Sequence, residues 1–184
     1  MGNVLSIGAG AVTMSAWIKP PNQNQAAAPI ISKRLNSGSF AQYNLGIGSV
    51  NNSGNTVSSK TIYCTFYGGS LSTAQFYHTQ NSVADGNWHY VACTRNSSGV
   101  AIYVDGQNQT LVADIANTTP TDTTNAGAFN LAFDNGAAFY TGVIDEAEVS
   151  NTARSSDWIT TEYNNQNSPS TFITVGSPEG LGGF

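Results

Sequence analysis

Charged residues are scarce in this chain of 184 residues: Asp, Glu, Lys and Arg supply 9% of it, against about 25% in an average domain. Lys and Arg together number 6, and the formal net charge is −5. Such a chain has no basic stripe that could neutralise a row of phosphates, so nucleic acid is not an expected partner. An anionic membrane surface is disfavoured for the same reason.

Long hydrophobic runs are also missing. No apolar stretch approaches the length that spans a bilayer, so membrane insertion is not expected. Residues 1–4 contain neither the basic region nor the start of an apolar stretch that a signal peptide needs. Two interpretations follow: the chain is cytoplasmic, or it has been cut from a larger secreted protein.

Cysteine is nearly absent, with only Cys64 and Cys93 present. Each lies in a strand-like segment, on the face that also carries apolar residues. Two interpretations stay open: a pair of buried thiols that pack as small hydrophobic groups, or a disulfide in an exported protein. A zinc site has little support, because the chain has no Cys-x-x-Cys and no neighbouring His cluster.

What the chain does contain is a series of short alternating segments separated by turn residues. This density of period-two patterns predicts an all-β sandwich or barrel. The predicted strands cover residues 12–19, 29–33, 41–47, 61–67, 75–79, 129–133 and 142–149. Polar loops are expected over residues 49–59 and 114–127.

The strongest local signal is a long β-hairpin over residues 88–106. Two alternating segments flank a polar stretch, residues 95–99, that places Gly99 where a tight connection needs glycine. One helix of one or two turns is expected over residues 155–163, since it begins with capping residues. We expect one domain over residues 1–175, followed by a flexible Gly-rich tail or linker end.

Several segments together resemble the laminin-G-like, concanavalin A-like lectin/glucanase superfamily. They are Asp-Gly-Asn-Trp-His-Tyr-Val-Ala with Ile-Tyr-Val-Asp-Gly in the hairpin, Met-Ser-Ala-Trp-Ile-Lys-Pro at 14–20, Gly-Val-Ile-Asp-Glu-Ala-Glu-Val-Ser at 142–150, and the C-terminal stretch 157–172. The resemblance implies a jelly-roll sandwich of two antiparallel sheets within a secreted or cell-surface bacterial protein. It also implies frequent roles in glycan or protein adhesion, often with a structural calcium ion.

Asp145 is the candidate metal ligand. Strict alternation places it on one face with Val143, Ala147 and Val149, and an acid that faces a core needs a partner or a cation. One structural calcium ion would satisfy it, as the resemblance implies. The alternative is a carboxylate that caps the backbone amides of a loop.

A candidate ligand surface combines aromatic and amide side chains on polar strand faces. Flat aromatic rings cover the C–H faces of sugars, and amides bond to their hydroxyl groups. The same residues also suit an ordinary β-sheet surface. The candidates are Trp17, Gln42, Asn44, Tyr63 and Tyr67.

The leading hypothesis is a non-catalytic carbohydrate-binding or adhesion module, whose partner is a glycan or a neighbouring surface protein. A structural or assembly module without a sugar ligand is the first alternative. The second is a glycoside hydrolase that uses Glu146 and Glu148 as its pair of carboxylates. Jelly-roll glycanases place a further Glu at the start of such a strand, where this chain has Val143.

Overall fold

The computed structural model describes residues 5–34, 42–51, 53, 56–117, 119, 121–134, 139–172 and 176. Most of them lie in short strands. The strands are β1 Val12–Lys19, β2 Gln25–Ala26, β3 Ala28–Arg34, β4 Gln42–Val50, β5 Thr56–Tyr67, β6 Gln75–Thr79, β7 His89–Asn96, β8 Gly99–Val104, β9 Gln107–Asn108, β10 Leu111–Ala116, β11 Phe129–Leu131 and β12 Val143–Ser150. The helices are α1 Ser156–Asn167 and α2 Pro169–Phe172, with a 3-10 turn at Leu71–Thr73.

The strands form two antiparallel sheets. One has the order β12-β1-β7-β8-β9, and the other has the order β10-β6-β5-β4-β3-β11, with β2 paired to β5. Consecutive strands such as β6 and β7, or β9 and β10, lie in different sheets, so the chain crosses repeatedly between the two layers. The predicted jelly-roll sandwich of two antiparallel sheets is therefore confirmed.

A single apolar core lies between the sheets. Alternate residues of β1, beginning at Val12, are fully buried there, as the period-two pattern requires. Cys64 on β5 and Cys93 on β7 also lie in this core, and a disulfide joins them at a Cα–Cα distance of 6.4 Å. The structure thus selects the disulfide from the two alternatives, and the bond ties one sheet to the other.

The predicted hairpin is formed by β7 and β8. Asn96 pairs with Gly99, and the Asn96 side chain accepts a hydrogen bond from the backbone N–H of Ser98 at 2.7 Å. A second tight turn follows β8, where Asp105 and Gly106 have φ of 52° and 75°. Two successive positive φ values define the type I′ turn for which Asp-Gly is favoured.

The predictions of loops over residues 49–59 and 114–127 were partly wrong, because strands occupy part of each segment. The segment 49–59 belongs largely to a hairpin, because β4 continues to Val50 and β5 begins at Thr56. Backbone pairing does not need apolar side chains, so a polar composition hid these strand ends. Strand β10 was not predicted, since it is an edge strand interrupted by a bulge between Ala113 and Ile115 and lacks strict alternation.

Helix α1 packs on the outer face of the five-stranded sheet. Ile159 is fully buried against Tyr90 and Tyr103, and the hydroxyl of Ser155 accepts a hydrogen bond from the N–H of Trp158 at 3.2 Å. The helix is longer than expected because it continues to Asn167. No helix in the described ranges is long and apolar enough to cross a membrane. The predicted tail lies, apart from residue 176, outside the described residues.

Candidate functional site

Strand β12 carries a β-bulge beside Asp145. Its pairing with β1 runs from Ser15↔Glu148 to Trp17↔Asp145, so two residues of β12 oppose one residue of β1. Glu146, within the bulge, has φ of 48°. The bulge breaks the alternation and leaves both Asp145 and Glu146 exposed. The prediction that Asp145 faces the core was therefore wrong, because it assumed a regular strand.

The exposure of Asp145 removes the argument for calcium at this position. One of its oxygens, Oδ1, accepts a hydrogen bond from the N–H of Glu146 at 2.9 Å. Within the described part of the chain, no group of three or more His, Cys, Asp and Glu side chains could hold a metal ion. Calcium prefers about six to eight oxygen ligands, which these residues do not assemble. Calcium at Asp145 stays a prediction.

Asp145 instead lines a surface groove of about 610 Å³. We call it the tryptophan groove. Strands β1 and β12, the segment before β7, and the end of α1 with the start of α2 form its walls. The lining residues are Trp17, Trp88, Asp145, Glu146, Asn165, Gln166, Asn167 and Pro169. Two of the residues predicted from the sequence, Trp17 and Asp145, are thus brought together.

Trp17 forms a fixed wall of this groove. Its indole N–H donates a hydrogen bond to Oε1 of Gln166 in α1. Its ring stacks on Tyr163 with 5.8 Å between centroids and lies 5.7 Å from the ring of Tyr90. The sequence placed Trp17 on the polar side of β1, and the structure shows that side partly covered by the helix.

Trp88 is the open aromatic surface of the groove. Its side chain is 43% exposed, and no described residue forms a hydrogen bond with its indole N–H. The preceding loop is well ordered by Asp85, whose two carboxylate oxygens accept hydrogen bonds from the backbone and side-chain N–H groups of Asn87 at 2.8 and 3.0 Å. Gly86 permits this turn with φ of 94°. Sequence reasoning missed Trp88 because it was counted only as part of the hairpin.

His89 ties the Trp88 loop to the turn after β8. Its Nδ1 lies 2.8 Å from Asp105 Oδ2, and its Nε2 lies 3.1 Å from Asp85 Oδ1. Because each ring nitrogen faces a carboxylate, the arrangement favours the imidazolium form, in which both nitrogens donate. The hydrogen bond to Asp105, followed by that to Asp85, raises the pKa of His89. The pKa of Asp85 is lowered to about 2, chiefly by the backbone N–H of Asn87.

Replacing His89 by Gln should therefore destabilise the protein in a pH-dependent way. The pKa of His89 is higher in the folded than in the unfolded state, so its stabilising contribution is complete below the unfolded value of about 6.5. That contribution is lost as the pH rises through the raised value. Urea unfolding of both proteins at about pH 5.5 and about pH 9 should give the larger difference at the lower pH.

Asp85→Asn provides the companion measurement. Removing one of the two carboxylates should lower the pKa of His89, which an NMR titration of the ring proton measures directly. Equal destabilisation by His89→Gln at both pH values would contradict the imidazolium assignment.

The remaining predicted ligand residues lie on the opposite side of the sandwich. Gln42 pairs with Tyr67, and Asn44 lies between them and Tyr63 on the same face of β4 and β5. The predicted polar-aromatic face therefore exists, but it belongs to the other sheet and cannot form one site with Trp17.

Most of that face is not open to a ligand. Asn44 and Tyr63 are buried, and the Tyr63 hydroxyl donates to the backbone oxygen of Ala27 at 3.2 Å. Burial also raises the pKa of Tyr63. Ser32, Asn44 and Thr65 are cross-strand neighbours, and each has a buried oxygen that no described residue satisfies. Such enclosed oxygens suit ordered water more than a glycan.

The comparisons with known proteins agree with this fold. Residues 2–160 match the family model of the concanavalin A-like lectin/glucanases superfamily. No curated protein matches the chain at a significant level.

Solved structures with the same fold are of low sequence identity. The binding domain of Paraclostridial Mosquitocidal Protein 1 has a TM-score of 0.64 at 10% identity, over 91% of this chain and 40% of that one. A candidate carbohydrate-binding protein from Bacteroides ovatus has a TM-score of 0.59 at 18% identity, over 85% and 41%. Domains LG4-5 of the mouse laminin alpha1 chain have a TM-score of 0.54 at 14% identity, over 80% and 37%. This chain thus corresponds to less than half of each of these structures.

Proposed function

The chain belongs to the concanavalin A-like lectin/glucanases superfamily, and from that premise we propose that it is a non-catalytic carbohydrate-binding module that holds its ligand in the tryptophan groove. The observation that carries the proposal is the exposed ring of Trp88 in a groove lined with amide and carboxylate side chains. An aromatic face covers the apolar face of a sugar ring, and amides and carboxylates bond to its hydroxyl groups. The groove volume of about 610 Å³ lies in the usual range for ligand sites.

The preorganisation of the groove supports binding. Trp17 is held by Tyr163 and Gln166, and the Trp88 loop is held by His89. A site whose walls are already ordered loses little conformational entropy when a ligand binds.

Two considerations favour binding over catalysis. The similar solved structures are binding domains or laminin-type domains. A retaining glycosidase also needs two carboxyl groups about 5–5.5 Å apart that flank the scissile bond. Of the candidate pair, Glu146 lines the tryptophan groove whereas Glu148 does not. A glycanase that uses Glu146 and Glu148 is therefore the less favoured alternative.

The proposal includes a secreted or cell-surface location as part of a larger exported protein. The disulfide between Cys64 and Cys93 supports it, because disulfides persist in oxidising compartments. A neighbouring surface protein remains the alternative partner, and a structural module without a sugar ligand remains the alternative function.

Trp88→Ala tests the proposed site. A glycan array, run with and without calcium, identifies a ligand, and calorimetry then compares variants. Loss of the more exposed of the two tryptophan rings that the described lining contains should weaken binding about tenfold or more, as for a central aromatic contact in other interfaces.

Tyr67→Ala is the matched control, since it removes a partly exposed aromatic side chain on the other sheet. The affinity of this variant for the glycan identified on the array should equal that of the parent protein. Loss of binding in Tyr67→Ala but not in Trp88→Ala would move the site to the seven-stranded sheet. An array without any hit, together with self-association in light scattering, would instead favour the structural module.

A further inference from the structure

The tryptophan groove has a charge of one sign. Among the described residues, its ionisable lining side chains are Asp145 and Glu146, and no described Lys or Arg lines it. Both carboxylates are exposed. Neither forms an ion pair with a cation in the part of the chain that the structure describes.

The surrounding surface reinforces this negative charge. Burial is the main cause of the raised pKa of Glu162, and repulsion from Glu148 and Glu146 adds to it, while the hydrogen bond from Tyr90 and the charge of Arg154 act in the opposite direction. These acids therefore act on one another across the outer face of the sheet. The nearby cation Arg154 is turned to Trp158, with its guanidinium carbon 4.4 Å from the ring centroid. Lys19 lines a different hollow, beside Val143.

The bulge in β12 positions the second of these two acids. A left-handed backbone conformation favours glycine, yet Glu occupies it here with φ of 48°. β-Bulges re-aim side chains next to functional sites, and strained residues cluster at such sites. In this chain the bulge places the Glu146 carboxylate beside that of Asp145 on the groove.

The exposed ring of Trp88 complements these carboxylates. Trp is the aromatic side chain that best attracts a cation at its face. A groove with two unpaired carboxylates and an open indole therefore matches an ammonium group attached to a sugar ring.

We propose that the tryptophan groove selects glycans that carry amino groups, with Asp145 and Glu146 as the residues that determine this preference. The inference rests on the proposed function, because it names the class of glycan that the same groove takes. A neutral glycan can still contact Trp88, but it leaves both carboxylates without a counter-charge.

Matched oligosaccharides provide the test. Glucosamine and N-acetylglucosamine oligomers of equal length differ in whether the amine is free or acetylated, and calorimetry at about pH 5.5 compares them under conditions in which the free amines carry a charge. We expect the amino oligomer to bind about tenfold tighter, with a preference that shrinks at high salt. The double variant Asp145→Asn, Glu146→Gln removes both charges but keeps side chains of similar size, so the ratio of the two affinities should fall to about one.

Asp157→Asn is the control, because it removes an exposed acid at the other end of α1 and should leave the ratio unchanged. Equal affinity of the parent protein for both oligomers would overturn the inference while the proposed function stands. Absence of binding to every glycan would overturn the proposed function itself. Oligolysine that binds as tightly as the amino glycan would show a general cation site and overturn the assignment to glycans.

Discussion

Replacing Arg95 by Ala should lower the free energy of unfolding by about 3–5 kcal/mol. The side chain is only 1% exposed. Its Nη1 donates to the backbone oxygen of Thr121 at 3.2 Å, and its Nη2 donates to those of Gly8 and Gly10, both at 2.8 Å. Its guanidinium carbon also lies 4.3 Å from the centre of the Phe66 ring. One arginine thus donates to three backbone carbonyl groups from two separate loops.

The loss should be large because the buried carbonyl of Thr121 would lose this donor, and the carbonyls of Gly8 and Gly10 would each lose a charged donor. An unsatisfied buried group costs about 1–3 kcal/mol, and the vacated volume adds to this cost. Burial lowers the pKa of Arg95 to about 10, so the side chain stays charged at neutral pH. Urea unfolding measures the change in free energy. Hydrogen exchange should show faster exchange at Thr123, whose N–H donates to Gly8.

Arg154→Ala is the matched control for Arg95→Ala. Arg154 contacts the face of Trp158 near the surface, so its removal should cost about 1 kcal/mol or less. The loss of unfolding free energy in Arg95→Lys should lie between the losses in these two variants, since one ammonium group cannot reproduce the fork of N–H donors. A loss below about 1 kcal/mol in Arg95→Ala would refute a structural role for the three carbonyl contacts.

Removing the disulfide should have the second largest effect. The double variant Cys64→Ala, Cys93→Ala should lose about 3–4 kcal/mol, because the bond closes a loop between residues separated by 29 positions. The bond joins β5 to β7 across the core. Without it, the unfolded chain gains conformational entropy, whereas the native sandwich stays constrained by its packing. Urea unfolding of the variant gives the value.

The parent protein reduced by a thiol provides the comparison. It should lose a similar free energy and should show two reactive thiols only after unfolding. Reactive thiols in the native, unreduced protein would contradict the bond. An unchanged urea midpoint in the double variant would show that the loop is already constrained in the unfolded state.

Local chemistry explains which parts of the fold the sequence could predict. The hairpin was predicted because alternation and turn residues, such as Asp105 with Gly106, act within a few positions. Asp145 was placed on the wrong face because one extra residue in β12 reverses the alternation, and no residue type at Glu146 marks the bulge. Period-two patterns assign faces only while the strand is regular.

The site depended on contacts that no local pattern contains. Trp17 lies 149 positions from Gln166, which accepts its hydrogen bond. Arg95 looked like part of a polar turn, yet loops near Gly8 and Thr121 bury it. Tyr63 was correctly predicted to share a face of β5 with Tyr67, but the burial of its side chain could not be predicted from the strand residues alone. The chemical character of each side chain could be predicted from the sequence, but the distant residues that it contacts could not.

The tryptophan groove extends beyond the part of the chain that the superfamily shares. The family match ends at residue 160, whereas Asn165, Gln166, Asn167 and Pro169 form one wall of the groove. A relative could therefore keep the whole sandwich and still lack this wall. The framework and this wall of the groove can therefore diverge separately, and a part of the ligand preference should follow the sequence after residue 160.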